Sequence, residues 1–389
     1  MKKLLCIAYS FVAVTNCLYA ASNLAGRKLL WQKTFTSEIN SAAENSDSSR
    51  IALTMDPESR TIKDNSYFKG IKTIWHGSKF YYLDNKGSIL WEYTPPASTE
   101  MYMLKNASIS GNGEYTSCSL IKLKTTDKTI IDRDGNQIRT KTQESYYDSI
   151  LFFDSKGQLK WSQNIKGETN LSANGNYLFI TPATDEDNRP LDDFYFLNNK
   201  GTVLWKVKAG DQLMTYGMTQ DGSRIFIGDT LYDNTGKVQW KLKDGLFTYI
   251  SGNGLFGIVQ YFERPKDPTS QITKTICFDL NTKKELLVFP SIKIQSNIKY
   301  SAIYIRPFSE FFIDDTKNNL VTRMNENIST ELAQQYKLHK GEVKIYDLKN
   351  GKLITDSMNP ITYDSYLKTY LHKNGFVKFA NNVLYFHEY

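Results

Sequence analysis

Cysteine and histidine are scarce in this chain, with four of each in 389 residues. Removal of an N-terminal leader would leave only Cys118 and Cys277. Two buried, unpaired thiols are expected, and a single bridge is the alternative. The histidines are His76, His339, His372 and His387, and no two share a metal-ligand spacing such as His-x-x-x-His. Structural or exposed roles are expected for them. A Gly-x-Ser-x-Gly elbow, a phosphate-cradling glycine loop and a dinucleotide fingerprint are all missing, so those chemistries are not expected. After the first twenty residues no apolar run is long enough to span a bilayer. No basic run interleaves with aromatics, so nucleic acid is not an expected partner.

The chain does contain a spaced repeat: Asp or Asn, two residues, Gly, three residues, Trp. It occurs as Asp84, Gly87 and Trp91; Asp154, Gly157 and Trp161; Asn198, Gly201 and Trp205; and Asp233, Gly236 and Trp240. Apolar and aromatic runs such as Phe80-Tyr81-Tyr82-Leu83 precede it, as half-buried strands require. The Asx side chain closes a turn, Gly accepts φ > 0, and a second strand carries the Trp. A large flat side chain at a fixed place in each hairpin is expected to dock one unit on the next.

A second signal lies upstream of each hairpin. It reads Ser110-Gly111-Asn112-Gly113, Ser172-Ala173-Asn174-Gly175, Thr219-Gln220-Asp221-Gly222 and Ser251-Gly252-Asn253-Gly254. Asn-Gly and Asp-Gly between strands mark further hairpins, so each unit has four antiparallel strands. Two weaker copies lack Trp. Leu287 or Val288 would fill its position in one, and Ile354 in the other. A last copy is split, with Trp31 near the start and Asn382–His387 near the end.

The expected fold is all-β: a seven-bladed β-propeller of four-stranded antiparallel blades, closed by pairing of the N- and C-terminal strands. A different parsing of residues 290–345 would give six or eight blades. One propeller domain is expected over 21–389, with insertions near 122–147 and 308–341 and a helix over Asn327–Tyr336. The insertions are the expected partner surface.

Residues 1–20 read as a signal peptide. Lys2 and Lys3 precede the apolar stretch Leu4–Val14, with small residues at Ala20 and Ala21. Cleavage near Ala20 is expected. The imperfect lipobox Val14-Thr15-Asn16-Cys17 makes lipidation at Cys17 the alternative. The location expected is extracytoplasmic, periplasmic or secreted. The net charge of +7 comes from lysines spread over the turns, Lys86, Lys156, Lys200 and Lys237 among them, which reads as a solvated surface. The acidic stretch Asp185–Asp193 lacks calcium-loop order and reads as a solvated loop, as does Asp314-Asp315. Sequons stand at Asn106, Asn170 and Asn327, about as many as chance provides in an Asn- and Ser-rich chain.

Asp233-Asn234-Thr235-Gly236-Lys237-Val238-Gln239-Trp240 resembles the repeat of the PQQ-like, quinoprotein alcohol dehydrogenase-like propellers, which are WD40-like in architecture. The resemblance implies that fold over most of residues 26–389. Quinone-dependent members often carry a vicinal disulfide, and no Cys-Cys pair exists here. The resemblance therefore points to the non-enzymatic branch, which includes an outer-membrane assembly lipoprotein. The expectation is a monomeric binding or scaffold protein with no cofactor, no metal and no catalytic residues, whose partner is a protein or a cell-envelope component. The alternative is a secreted propeller enzyme, sulfotransferase-, hydrolase- or lyase-like, with its site in the central channel.

Overall fold

The computed structural model describes residues 28–62, 72–76, 78–96, 101–131, 137–185, 189–210, 215–263, 271–295, 302–305, 308–315, 317–324, 334, 342–354, 361–362 and 376–387. The leader, Cys17, His339 and His372 lie outside them, as does the expected helix apart from Gln334. Every described element is a β-strand. No helix among the described residues is long and apolar enough to cross a membrane.

The described strands form seven blade sheets and two separate two-stranded ones, Glu58–Ile62 with Lys72–His76 and Ile292–Gln295 with Ala302–Ile305. Blade 1 orders Ile39–Glu44, Arg50–Met55, Phe80–Asp84 and Ile89–Tyr93. Blade 2 orders Met101–Ile109, Tyr115–Ile131, Gln137–Asp154 and Leu159–Gln163. Blade 3 orders Gly167–Leu171, Tyr177–Pro182, Phe194–Asn198 and Val203–Val207. Blade 4 holds Tyr216–Met218, Arg224–Ile227, Thr230–Asp233 and Val238–Lys241. Blade 5 holds Gly245–Ile250, Phe256–Phe262, Ile272–Asp279 and Glu285–Pro290. Blade 6 holds Phe308–Asp314, Asn319–Met324, Glu342–Asp347 and Lys352–Leu353, with Ile361–Thr362 also paired to Glu342–Asp347. In blade 7, Leu29–Thr34 pairs with Val383–His387, which pairs with Phe376–Ala380. By strand order and sheet count this is a seven-bladed β-propeller, and its N- and C-terminal strands close one blade together.

Two compact units divide the chain. Blades 7, 1, 2 and 3 lie in Tyr19–Leu213 with Lys373–Glu388, and blades 4, 5 and 6 lie in Met214–His372. Within each unit the core sits in the seams between successive sheets. Ile51, Leu53, Leu83, Leu384 and Phe386 fill the seam of blades 7 and 1. Phe80, Tyr82, Leu104, Cys118 and Phe153 fill that of blades 1 and 2. Ile258, Cys277, Ile313 and Leu320 fill that of blades 5 and 6. Strands buried on both faces explain the unbroken apolar runs in the sequence.

Each sheet of blades 1 to 5 is a four-stranded meander, so its first and third turns fall at one end and its second connection at the other. The repeated short turns occupy the first end. The long connections leave from the second. One of them is in blade 2, where antiparallel pairing runs from Tyr115↔Asp154 to Ile131↔Gln137 with a register slip between Tyr147 and Ser149. The first strand of that sheet stops pairing at Leu123. Residues 124–131 and 137–144 therefore continue as a two-stranded arm about 27 Å long. Residues 308–324 supply two regular strands of blade 6.

Candidate functional site

The Asx turn is built alike in four blades. Asp84 Oδ1 accepts the N–H groups of Lys86 and Ser88 at 2.9 and 2.8 Å. Asp154 accepts those of Lys156 and Gln158, Asn198 those of Lys200 and Thr202, and Asp233 those of Thr235 and Lys237. Gly87, Gly157, Gly201 and Gly236 follow at φ 81°, 80°, 81° and 83°, a region that favours glycine. Burial works against ionisation of Asp84 and Asp233. Hydrogen bonds outweigh it and hold both carboxyls below the ordinary aspartate value, from the Ser88 and Lys86 N–H groups at Asp84 and from the Thr235 hydroxyl ahead of the Lys237 and Thr235 N–H groups at Asp233.

Each Trp stacks on the residue opposite it where that residue is aromatic. Trp31 lies on Phe386 at 5.5 Å, Trp91 on Tyr82 at 5.2 Å, Trp161 on Phe152 at 4.7 Å and Trp205 on Phe196 at 5.1 Å. In blade 4 the residue opposite is Leu231, and Trp240 instead meets Phe247 and Phe278 of blade 5 edge-on. Three indoles also reach the turn of the next blade. Trp31 Nε1 donates to Asn85 O at 2.6 Å, Trp91 Nε1 to Ser155 O at 3.1 Å and Trp161 Nε1 to Asn199 O at 3.0 Å. Where Trp is missing, Leu287 takes its slot opposite Cys277 and faces Gly351 of blade 6. Ile354 sits at the equivalent place, its N–H bonded to Ile345 O.

The first turns are also joined within each unit. Ser46 N donates to Gly111 O, Asn112 N to Ala173 O and Gln220 N to Gly252 O. Gly252 N donates to Asp315 Oδ2 at 2.8 Å. Burial raises the Asp315 carboxyl above its ordinary value, against the pull of the Gly252 and Asn253 N–H groups. Sequence reasoning missed two copies of this turn, at Asn45–Arg50 and Asp314–Asn319. Ser48 holds the glycine's left-handed position at φ 55°; after Asp314 the left-handed residue is Asn318 at φ 53°, one place later than the glycine elsewhere. It also missed a register slip just before the Trp slot in blades 1, 2, 3, 4, 5 and 7.

The remaining candidates are dispersed. Asp192 accepts the Tyr195 hydroxyl at 2.9 Å, and Asp193 pairs with Lys206 at 3.1 Å. Burial and then Asp192 push the Tyr195 hydroxyl up to about 12. His387 is buried on the closing strand, beside Tyr385. Among the described residues no three His, Cys, Asp or Glu side chains come together as a metal-holding group. Cys118 and Cys277 are free thiols in different blades, both buried.

No protein-family model matches the chain, and no curated protein does. Many solved structures match the chain. The structure of U3-55K superposes with TM-score 0.40 at 11% identity, covering 94% of this chain and 100% of that one. The β-propeller domain of the Trilobed protease from Pyrococcus furiosus gives 0.39 at 9%, covering 92% and 91%. A eukaryotic initiation factor gives 0.39 at 11%, covering 83% and 77%. Likeness at these scores has no bearing on activity or partner.

One polar group stands outside the repeat. Lys105, Asn106, Tyr147 and Glu168 come from the inner strands of blades 2 and 3 and from the base of the arm. Burial raises the Glu168 carboxyl above its ordinary value, although Asn106, Lys105 and Tyr147 each favour its ionised form.

Proposed function

We propose that this chain is an extracytoplasmic binding and scaffold module whose partner is a protein or a cell-envelope component, held by the long connections at one end of its sheets. The arm of blade 2 carries this reading. A two-stranded ribbon has little core of its own and gains stability when something covers it. Its edges offer unpaired N–H and C=O groups to an added strand. Tyr146, 47% exposed at the base of the arm, and the exposed Lys124 provide an aromatic anchor beside a charge. The leader-like N-terminus supports the extracytoplasmic address. The repeat around Asp233 and Trp240 supports kinship with the non-enzymatic PQQ-like propellers. The blade-docking role of the tryptophans belongs to the same reading, with the sheets as a rigid support.

The test compares the full chain with a variant in which residues 124–144 are replaced by a two-residue Asn-Gly turn. Both are used to capture partners from envelope extracts. A partner retained by the full chain and lost by the variant is expected. Identical capture by both, or turnover on a substrate panel without any partner, would overturn the reading.

A further inference from the structure

In the blades that carry Trp, the register slip leaves one residue of the outer strand without a partner. That residue is Leu30 in blade 7, Leu90 in blade 1, Lys160 in blade 2, Leu204 in blade 3 and Gln239 in blade 4. Lys160 and Gln239 show that the slip needs nothing apolar there. Leu30, Leu90 and Leu204 serve no core either, being 42%, 48% and 43% exposed. The residues before them, Leu29, Ile89 and Val203, and Leu159 in blade 2 are each 41% or 42% exposed. Single exposed apolar side chains need no explanation, but adjacent pairs repeated on neighbouring sheets do.

These residues form one row. Trp31, Trp91 and Trp161, just beyond them, donate to Asn85, Ser155 and Asn199 in the third turn of the following blade. Blades 7, 1, 2 and 3 belong to one compact unit, so the row runs along four joined sheets. Lysines border it. Lys28 precedes Leu29, and Lys86, Lys156 and Lys200 stand three residues before Ile89, Leu159 and Val203, all of them exposed. The turn carboxylates Asp84 and Asp154 are directed onto N–H groups of their own turns, and Lys160 lies 3.9 Å from Asp154. Asp47 and Glu114 belong to the first turns, beside the inner strands, and Glu92 lies beyond Trp91 and pairs with Lys79.

We propose that this row docks on the surface of an anionic lipid bilayer. The apolar pairs enter the headgroup region, and the lysines set their ammonium groups among the phosphates. A fluid surface accepts small wedges repeated from blade to blade without a matching shape. A protein interface centres on aromatic anchors, and the row exposes none, since its tryptophans are half-buried between blades. The row lies at the end of the sheets that holds the short turns, and the arm leaves from the other end, so the two surfaces are separate.

Co-sedimentation tests this with the chain from Ala21, which keeps every described strand and removes the apolar stretch Leu4–Val14. The vesicles are phosphatidylcholine alone, or phosphatidylcholine mixed with an equal amount of phosphatidylglycerol. Binding to the mixed vesicles alone, weakened by added salt, is expected. Leu30→Gln, Leu90→Gln and Leu204→Gln together give these slips the residue type found at Gln239, and should weaken binding about tenfold with an unchanged melting temperature. Lys86→Gln, Lys156→Gln and Lys200→Gln together should weaken it by about the same factor. The variant with the shortened arm should bind vesicles as well as the unshortened chain, so this proposal and the partner reading fail separately. Binding to neither vesicle, equal binding to both, or unchanged binding by both triple variants would overturn the proposal. A protein captured from envelope extracts and lost on leucine substitution, without vesicle binding, would overturn it in favour of a protein partner.

Discussion

The Trp91 indole lies against the backbone of Gly157, so that a Cβ added to Gly157 would fall 2.8 Å from the ring. The same glycine holds φ at 80°. Gly157 is therefore needed twice, for its own turn and for the side chain of the preceding blade. Gly157→Ala should cost about 2–4 kcal/mol, adding left-handed strain to overpacking. Denaturant melts followed by tryptophan fluorescence would read the loss. A cost near zero would mean that the seam of blades 1 and 2 opens freely.

Trp161 combines ring stacking on Phe152 with a hydrogen bond to Asn199 O. Trp161→Ala should lose about 3 kcal/mol, the low end of a large aromatic truncation because the ring is only half-buried. Trp161→Phe keeps the stacking and should lose about 1–2 kcal/mol. Equal losses in equilibrium unfolding would assign the whole effect to the hydrogen bond.

Asp84 makes the stability of blade 1 sensitive to acid. Its folded-state carboxyl lies below the ordinary aspartate value. Its contribution is therefore present above about pH 4, the unfolded value, and is lost as the pH falls through the folded one. Asn198 accepts the same pair of N–H groups in blade 3 without a charge. Asp84→Asn should keep the turn and flatten the fall of the melting temperature between pH 5 and pH 3. An unchanged pH profile would show that the turn is indifferent to the charge.

Cys118 and Cys277 should resist thiol reagents in the native protein. Burial pushes the Cys277 thiol up to about 12 and raises that of Cys118 further, so neither presents thiolate at neutral pH. Colour development with a chromogenic disulfide should follow unfolding in denaturant. Rapid reaction without denaturant would place a thiol at the surface.

Turns and strands were legible because their causes are local. Asp84 and Gly87 stand three residues apart and close one turn, and runs such as Phe80–Leu83 reveal the strand beside it. The split blade could also be inferred, since Trp31 had no strand before it and Val383–His387 had none after it. The first turn at Asn45 escaped notice because Ser48 occupies the place that glycine marks elsewhere. The extra residue before each Trp was equally hidden, since a register slip exists only relative to the partner strand.

Sequence alone determined the unit of construction: an Asx turn, a permissive glycine and an apolar strand on either side, all governed by forces between near neighbours. Tertiary structure decided what those units touch. Trp91 meets a glycine sixty-six residues further on, and Asn106 is brought beside Glu168 by packing between two sheets. Neither contact leaves a periodic signal, because each depends on how separate blades pack against one another and not on the residues that flank it in the chain.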